Sequence, residues 1–202
     1  MYIVDLDSER RTQLARLLRQ RGLTTEAFRN GDDLLAACSY LRPGCVLIVG
    51  GWPEERAVDL LVRLRAARPE MVCVLMDAHP SIPEVVRALQ SGASDFIDLP
   101  YDENGLIASL RRAASLLPDR IERHTRAETS RRLVEALTPR ERQVMHMVAR
   151  GATSRVIAVD LKISVRTVEL HRANVMQKLG VHNIAALARI SILLDYLGND
   201  ER

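Results

Sequence analysis

Apolar residues in the first half of the chain fall into two alternating patterns. Short runs rich in Val, Ile and Leu lie near 2–5, 24–28, 45–49, 71–76 and 94–98. Between them, near 8–20, 31–41, 55–67, 80–91 and 102–116, apolar positions recur three or four apart. The first pattern predicts strands and the second amphipathic helices, giving five successive βα units. Leu14, Leu17 and Leu18 form the stripe of the first helix, Leu60, Leu61 and Leu64 that of the third, and Val85, Val86 and Leu89 that of the fourth. Cys45-Val-Leu-Ile-Val49 and Met71-Val-Cys-Val-Leu-Met76 are apolar at successive positions, which predicts central strands covered on both faces. The fold expected for 1–116 is therefore α/β, a five-stranded doubly wound parallel sheet, with function at the carboxyl edge of its strands.

The pattern changes after Leu116. Arg120, Arg123, Arg126, Arg131 and Arg132 interleave with Asp119, Glu122, Glu128 and Glu135. Pairs four apart, Glu122/Arg126 and Glu128/Arg132, predict a solvated helical linker over 117–136. From 137 to 202 the pattern is all-α, with four helices. Thr138-Pro139-Arg140-Glu141 is a capping box with proline in the first turn, followed by the apolar face Val144, Met147 and Val148 and a stop at Gly151. A second helix over about 153–161 leads through Lys162-Ile163 to a third, capped by Ser164 and ended by Gly180, and 183–197 forms the fourth. Two short helices joined by a tight turn fit a helix-turn-helix.

Composition narrows the function classes. With 47% hydrophobic and 27% charged residues the chain buries sizeable cores, which excludes a disordered protein. Tyr2-Ile3-Val4 leaves no room for a signal peptide and no long apolar run occurs, so a cytoplasmic protein without membrane contact is expected. Cys38, Cys45 and Cys73 lack paired metal spacing and lie in apolar stretches, which predicts reduced, buried thiols and no zinc site. Charge divides unevenly: residues 1–117 carry 14 Arg against 16 acids, net −2, and 118–202 carry 15 Arg and Lys against 10 acids, net +5. Only the second half suits a polyanion. The only lysines are Lys162 and Lys178, so no lysine chemistry exists in the first half.

At the strand edges the chain resembles a response-regulator receiver domain of the FixJ-like subgroup, through Ile3-Val-Asp5, Arg87-Ala-Leu-Gln-Ser-Gly-Ala93, Asp95-Phe-Ile97 and Pro100. The resemblance implies phosphoryl transfer to an aspartate after the third strand, with an acidic pair after the first strand for Mg²⁺, a hydroxyl after the fourth and a lysine after the fifth. Those stations are altered here. Aligning Pro53 with the family proline places Val49 at the acceptor position beside Gly50 and Gly51; the acidic pair becomes Asp5-Leu6, the hydroxyl Asp77, and the Lys-Pro step Leu99-Pro100. An alkyl side chain cannot be phosphorylated, and phosphoryl transfer depends on cations that neutralise developing charge. Asp59, within a helical stripe, reads as a solvated residue and not as a substitute acceptor. The domain is therefore read as a pseudo-receiver, with Asp5, Leu6, Val49, Asp77 and Leu99 as a degenerate phosphorylation pocket.

Three readings of that region stay open. Asp5, Asp77 and Asp7 either cluster without a basic partner, taking up protons or a divalent cation, or are separate solvated acids. Cys45 and Cys73, on adjacent strands, are either a redox pair or buried small hydrophobes. Trp52-Pro53 and Tyr101 form either a partner surface or ordinary loop packing.

The second half resembles a LuxR-type DNA-binding domain of the FixJ/NarL class, through Leu137-Thr-Pro-Arg-Glu-Arg142, Val144, Gly151, Ile157-Ala158, Leu161, Ile163-Ser164, Arg166-Thr-Val-Glu169, His171-Arg-Ala-Asn174 and Lys178-Leu-Gly-Val181; Ser154-Arg155-Val156 departs from the family pattern. At about 100° per residue, Val165, Val168, His171, Val175 and Leu179 project inward and Arg166, Glu169, Leu170, Ala173 and Gln177 outward. The resemblance places Glu169, Leu170 and Ala173 toward the major groove. Glu169 suits a cytosine amine, Arg166 a guanine, and Leu170 or Ala173 a thymine methyl. Thr167, Asn174, Gln177 and Lys178 suit the phosphate backbone. Arg172 projects near the inward centre, and His171 reads as a core or phosphate-adjacent residue.

The function expected is a sequence-specific DNA-binding transcription regulator acting on double-stranded DNA, as a homodimer, without aspartyl phosphorylation. The alternative is an interaction protein whose pseudo-receiver pairs with another regulator or a kinase, or senses a ligand. No catalytic triad, Cys/His pair, phosphate loop, metal motif or cofactor motif appears, so neither an enzyme nor a cofactor is expected.

Overall fold

The computed structural model describes residues 1–50 and 57–199. Gly51, Trp52, Pro53 and the start of the helix expected from 55 lie outside the described residues. The chain divides into two compact units, Met1–His124 and Thr125–Arg202.

In the first unit, β1 (Tyr2–Val4), β2 (Glu26–Phe28), β3 (Cys45–Val49), β4 (Val72–Asp77) and β5 (Asp95–Asp98) alternate with α1 (Ser8–Gln20), α2 (Gly31–Ala37), α3 (Ala57–Ala67), α4 (Ile82–Gln90) and α5 (Glu103–Ser115). All neighbouring strands are parallel, in the order β2-β1-β3-β4-β5. The doubly wound sheet read from the sequence is what forms. α2 ends at Ala37, short of the expected 41, because the chain turns there and returns Leu41 to the core.

Alternation along the strands sends side chains into two apolar layers. Val4, Val46, Ile48, Cys73 and Leu75 pack with Leu34 of α2, Leu60, Leu61 and Leu64 of α3, and Ala88 of α4. Ile3, Cys45, Leu47, Val49, Val72, Val74 and Met76 pack with Leu14 and Leu18 of α1 and Leu106 and Leu110 of α5.

At the amino end of β4 the buried Glu70 is held by Arg68, whose Nε donates to Oε1 at 2.6 Å and whose Nη2 donates to the Leu41 carbonyl at 2.8 Å. The next helix, α6 (Leu117–Glu135), begins over this corner. Arg120 Nη1 donates to the Met71 carbonyl at 2.9 Å, and His124 Nε2 lies 3.7 Å from the second Glu70 oxygen.

The second unit contains α7 (Pro139–Ala149), α8 (Ser154–Leu161), α9 (Val165–Leu179) and α10 (Ile184–Asn199) around Leu137, Val144, Val148, Ile157, Val168, Val175 and Leu187. The capping box at Thr138 forms: the Thr138 N–H donates to Glu141 Oε2 at 2.9 Å and the Glu141 N–H to Thr138 Oγ1 at 3.2 Å. Lys178 of α9 donates to the same Glu141 oxygen at 2.7 Å, so one buried carboxylate caps α7 and ties it to α9.

Two stability predictions follow from these buried acids. Arg68→Ala leaves Glu70 without its cation and is expected to destabilise the first unit by about 3 kcal/mol, read from its transition in urea. The Lys178 ammonium, with the Thr138 amide, holds the Glu141 carboxyl down from 4.5 to about 2. A depressed carboxyl stabilises the fold above its unfolded value and loses that contribution as pH falls through the folded value. The protection factors of α7 and α9 amides in the intact chain, taken against the intrinsic exchange rate at each pH, should therefore fall between pH 4.5 and about 2, and Lys178→Met should weaken protection already at neutral pH.

Candidate functional sites: the strand-edge pocket and the recognition helix

The carboxyl ends of β1, β3, β4 and β5 bring Asp5, Val49, Asp77 and Leu99 to one edge. Val49 is 0% exposed and belongs to the apolar layer under α1 and α5. Next to it, the Gly50 N–H donates to the Met76 carbonyl at 2.6 Å. The Asp77 carboxylate folds over Gly50 so closely that a Cβ there would stand 2.1 Å from Oδ2, so a larger residue at this position would have to push the Asp77 side chain aside. The other Asp77 oxygen accepts from the Ala78 N–H at 2.6 Å. Leu99 packs against the α1/α5 layer, and its N–H donates to the Asp77 carbonyl at 2.7 Å. Leu6 is exposed.

Asp5 corrects the expectation of carboxylates without a basic partner. It is 0% exposed, and Arg10 grips it with both arms, Nε to Oδ2 at 2.7 Å and Nη2 to Oδ1 at 2.8 Å. The Asp7 N–H donates to Asp5 Oδ1 at 2.9 Å, and Arg11 Nη1 donates to the Asp5 carbonyl at 2.6 Å. Asp7 is occupied elsewhere, capping α1 by accepting from the Glu9 and Arg10 amides at 2.9 and 3.1 Å. Its hydrogen bonds to those amides hold its carboxyl below the usual range. The hydrogen bonds to Asp5 raise the Arg10 guanidinium above its ordinary value, with the charges of Asp7 and Asp77 adding to the effect.

The Mg²⁺ of the receiver resemblance does not fit these residues. A divalent ion of this kind takes about six oxygen ligands, and both Asp5 oxygens are committed to a guanidinium. Leu6 and Val49 offer none. Among the described residues no group of three or more His, Cys, Asp or Glu is arranged for a metal ion. The one feature of this pocket that the sequence reading missed is Arg10, whose signal was its place in the first turn of α1, five residues after Asp5.

Cys45 and Cys73 are not a pair. They lie in opposite layers of the sheet, and burial pushes both thiols up to about 12. Tyr101 packs against the α1/α5 layer, whereas Trp52 and Pro53 lie outside the described residues.

In the second unit a left-handed Lys162, at φ 53°, closes α8 and turns the chain into α9. Ser164 caps α9 by accepting from the Thr167 N–H at 3.0 Å, and the Ser164 and Thr167 hydroxyls lie 2.8 Å apart. Gly180, at φ 64°, ends the helix. Val168, Val175 and Leu179 are buried, anchoring the inner face. Arg166, Glu169, Ala173 and Gln177 are exposed, Leu170 is 60% exposed, and Thr167 and Asn174 are half-buried.

Three side chains of α9 depart from the projected picture. Val165 is exposed because it stands at the helix start, beyond the reach of the core. Arg172 Nη1 donates to Ser154 Oγ at 2.9 Å, bracing α9 against the start of α8. Lys178 is engaged with Glu141 while remaining partly exposed.

Residues 1–111 match the response regulator receiver domain, and residues 135–191 match the luxR family of bacterial regulatory proteins. The chain is 32% identical over 194 residues to the transcriptional regulatory protein FixJ of Azorhizobium caulinodans, covering 96% of this chain and 92% of that one. It is 31% identical over 191 residues to the response regulator protein TodT of Pseudomonas putida, covering 95% and 84%. Among solved structures it is similar to the response regulator StyR, with TM-score 0.61, 31% identity and coverage of 94% and 96%. Full-length FixJ from B. japonicum gives TM-score 0.56 and 31% identity, covering 95% of each chain. No described helix is long and apolar enough to cross a membrane. A parallel receiver sheet followed by a luxR-type helix-turn-helix, matched along nearly the whole chain, makes this protein a member of the FixJ-type response regulators and thus a transcription regulator.

Proposed function

We propose that this regulator binds a specific double-stranded DNA site through α9 and does so without aspartyl phosphorylation of its receiver unit. The observation that carries the second half of this reading is Val49, a buried alkyl group at the position where the family's chemistry needs a carboxylate. No neighbouring lysine exists to balance a phosphoryl group either, since the first lysine of the chain is Lys162. The protein acts as a cytoplasmic DNA reader and not as an enzyme.

Arg166, Glu169, Leu170 and Ala173 read base edges, while Thr167, Asn174, Gln177 and Lys178 line the flank that meets phosphates. Exposure supports the outward placement, because the first four, with Gln177 and Lys178, stand out from the face buried by Val168 and Val175. Lys178 approaches DNA as one half of an ion pair with Glu141, so it contributes less than a free ammonium. A net charge of only +5 in residues 118–202 makes one copy a weak binder, and two half-sites read by a homodimer follow.

An apolar stripe on α4 supports the dimer. Ile82, Val86 and Leu89 lie on successive turns, with Ile82 82% exposed. A second copy covering this stripe is favoured over a partner regulator or kinase, because a two-half-site DNA element requires the copy in any case.

The purified protein, with no phosphoryl donor, is expected to select a two-half-site motif from random duplex DNA. Glu169→Ala should relax specificity at one position of each half-site by about tenfold. Treatment with a small-molecule phosphoryl donor and Mg²⁺ should leave the intact mass and the DNA affinity unchanged; a phosphorylated receiver would sink the reading. Leu89→Asp is expected to shift the sedimenting species toward monomer and to abolish binding to paired half-sites before single ones. A stripe serving another protein would leave both unaffected.

A further inference from the structure

An ionised carboxylate buried at the edge of a sheet needs a counter-charge. Asp5 obtains it from within the chain. The planar fork of Arg10 matches both carboxylate oxygens, with 2.7 and 2.8 Å contacts, and the Asp7 amide adds a third donor at 2.9 Å. The arrangement is fastened at three points. Asp7 caps the helix that carries Arg10, Arg11 Nη1 pins the Asp5 carbonyl at 2.6 Å, and the Asp5 N–H donates to the Phe28 carbonyl at 3.3 Å.

We propose that Arg10 is the resident cation of the receiver unit: its guanidinium stands permanently on the carboxylate that a divalent ion would have to use, so the pocket is filled without metal. A divalent ion entering here would meet a fixed positive charge in place of oxygen ligands. Among the described residues its neighbours at that edge would include the hydrocarbons of Leu6 and Val49, with Asp77 as a further carboxylate. The pocket is thus indifferent to Mg²⁺. This deepens the phosphorylation-independent reading of the same pocket and rests on it for its regulatory meaning, but the tests of the two separate.

The experiment uses the full-length chain and Mn²⁺ as a paramagnetic probe, followed by water-proton relaxation, together with melting curves in Mg²⁺ and in chelator. Wild type is expected to bind no Mn²⁺ and to melt at the same temperature in both. Arg10→Gln keeps a hydrogen-bonding side chain and removes the charge; it should acquire a Mn²⁺ site and be stabilised by Mg²⁺. Arg10→Lys, which keeps the charge, should acquire neither. The double variant Asp5→Asn/Arg10→Gln, neutral at both positions, should lose the Mn²⁺ site again and melt above Arg10→Gln measured in chelator.

Equal Mn²⁺ binding by wild type and Arg10→Gln would overturn the proposal, as would a folded Arg10→Gln that binds none. If Arg10→Gln alone fails to fold, Mn²⁺ should restore its structure, and failure to do so also overturns it. DNA selection by wild type in chelator is read in parallel. Loss of sequence-specific binding there, with the metal results as expected, would remove the functional reading and leave the resident cation standing.

Discussion

The centre of the receiver unit is a parallel pair, β3 and β4, with no polar face, and covering that pair on both sides is the constraint from which the rest of the unit follows. Successive residues from Cys45 to Val49 and from Val72 to Met76 are all buried, and the register pairs Val49 with Met76 at the last rung. Helices must therefore lie on both faces, which sets the βα order. The apolar layer runs to the strand ends as well. A carboxylate at Val49 would stand in the layer formed by Leu106 and Leu110 and would need a cation beside it. Val49 and Leu99 carry the apolar layer to this edge, where the Asp77 carboxylate folds over Gly50.

Among the described residues the three buried acids, Asp5, Glu70 and Glu141, each have a cation, and the cases differ in what the pair connects. Arg10 and Asp5 join the first helix to the strand that precedes it. Arg68 and Glu70 brace the turn into β4, with Arg120 of α6 on the adjoining Met71 carbonyl. Lys178 and Glu141 join α9 to the cap of α7. Removing one partner of such a pair costs more than the pair contributes, because the survivor is left charged and out of water. These pairs consequently fix geometry more than they add stability. In α9 the Lys178 pair holds the last turn of the helix, and Arg172 ties its middle to Ser154 at the start of α8.

The fold was legible where periodicity and burial coincide; α4 is the exception, since Val86 and Leu89 of its stripe, read as covering the sheet, are exposed and Ala88 is buried instead. The unbroken apolar runs at 45–49 and 71–76 could only be interior strands, and the Thr138 capping box and the Ser164 cap marked α7 and α9 at their first turns. The outward face of α9 was equally legible, since Val168 and Val175 fix its rotation. What sequence reasoning missed are side-chain partners. The match of Arg10 to Asp5 depends on how α1 leaves β1, and that of Lys178 to Glu141 spans residues far apart in the chain. The opposite facing of Cys45 and Cys73 did lie within reach: the register sets Cys45 against Val72 and Val46 against Cys73, so one residue of offset sends the two thiols to different layers.

On the reading proposed above, a receiver unit that works without aspartyl phosphorylation still influences the DNA-binding unit through free energy, and a ligand shifts an equilibrium only by its differential affinity for the two states. On the reading advanced above, the strand edge no longer supplies that difference, since its cation is built in and its acceptor is hydrocarbon. What remains is association. The α4 stripe gains by meeting a second copy, and a weakly basic reading domain gains by presenting two helices to two half-sites. On that reading both gains depend on the number of chains present, so DNA occupancy would rise with protein concentration more steeply than in proportion, and the amount of regulator would take the place of the phosphoryl signal.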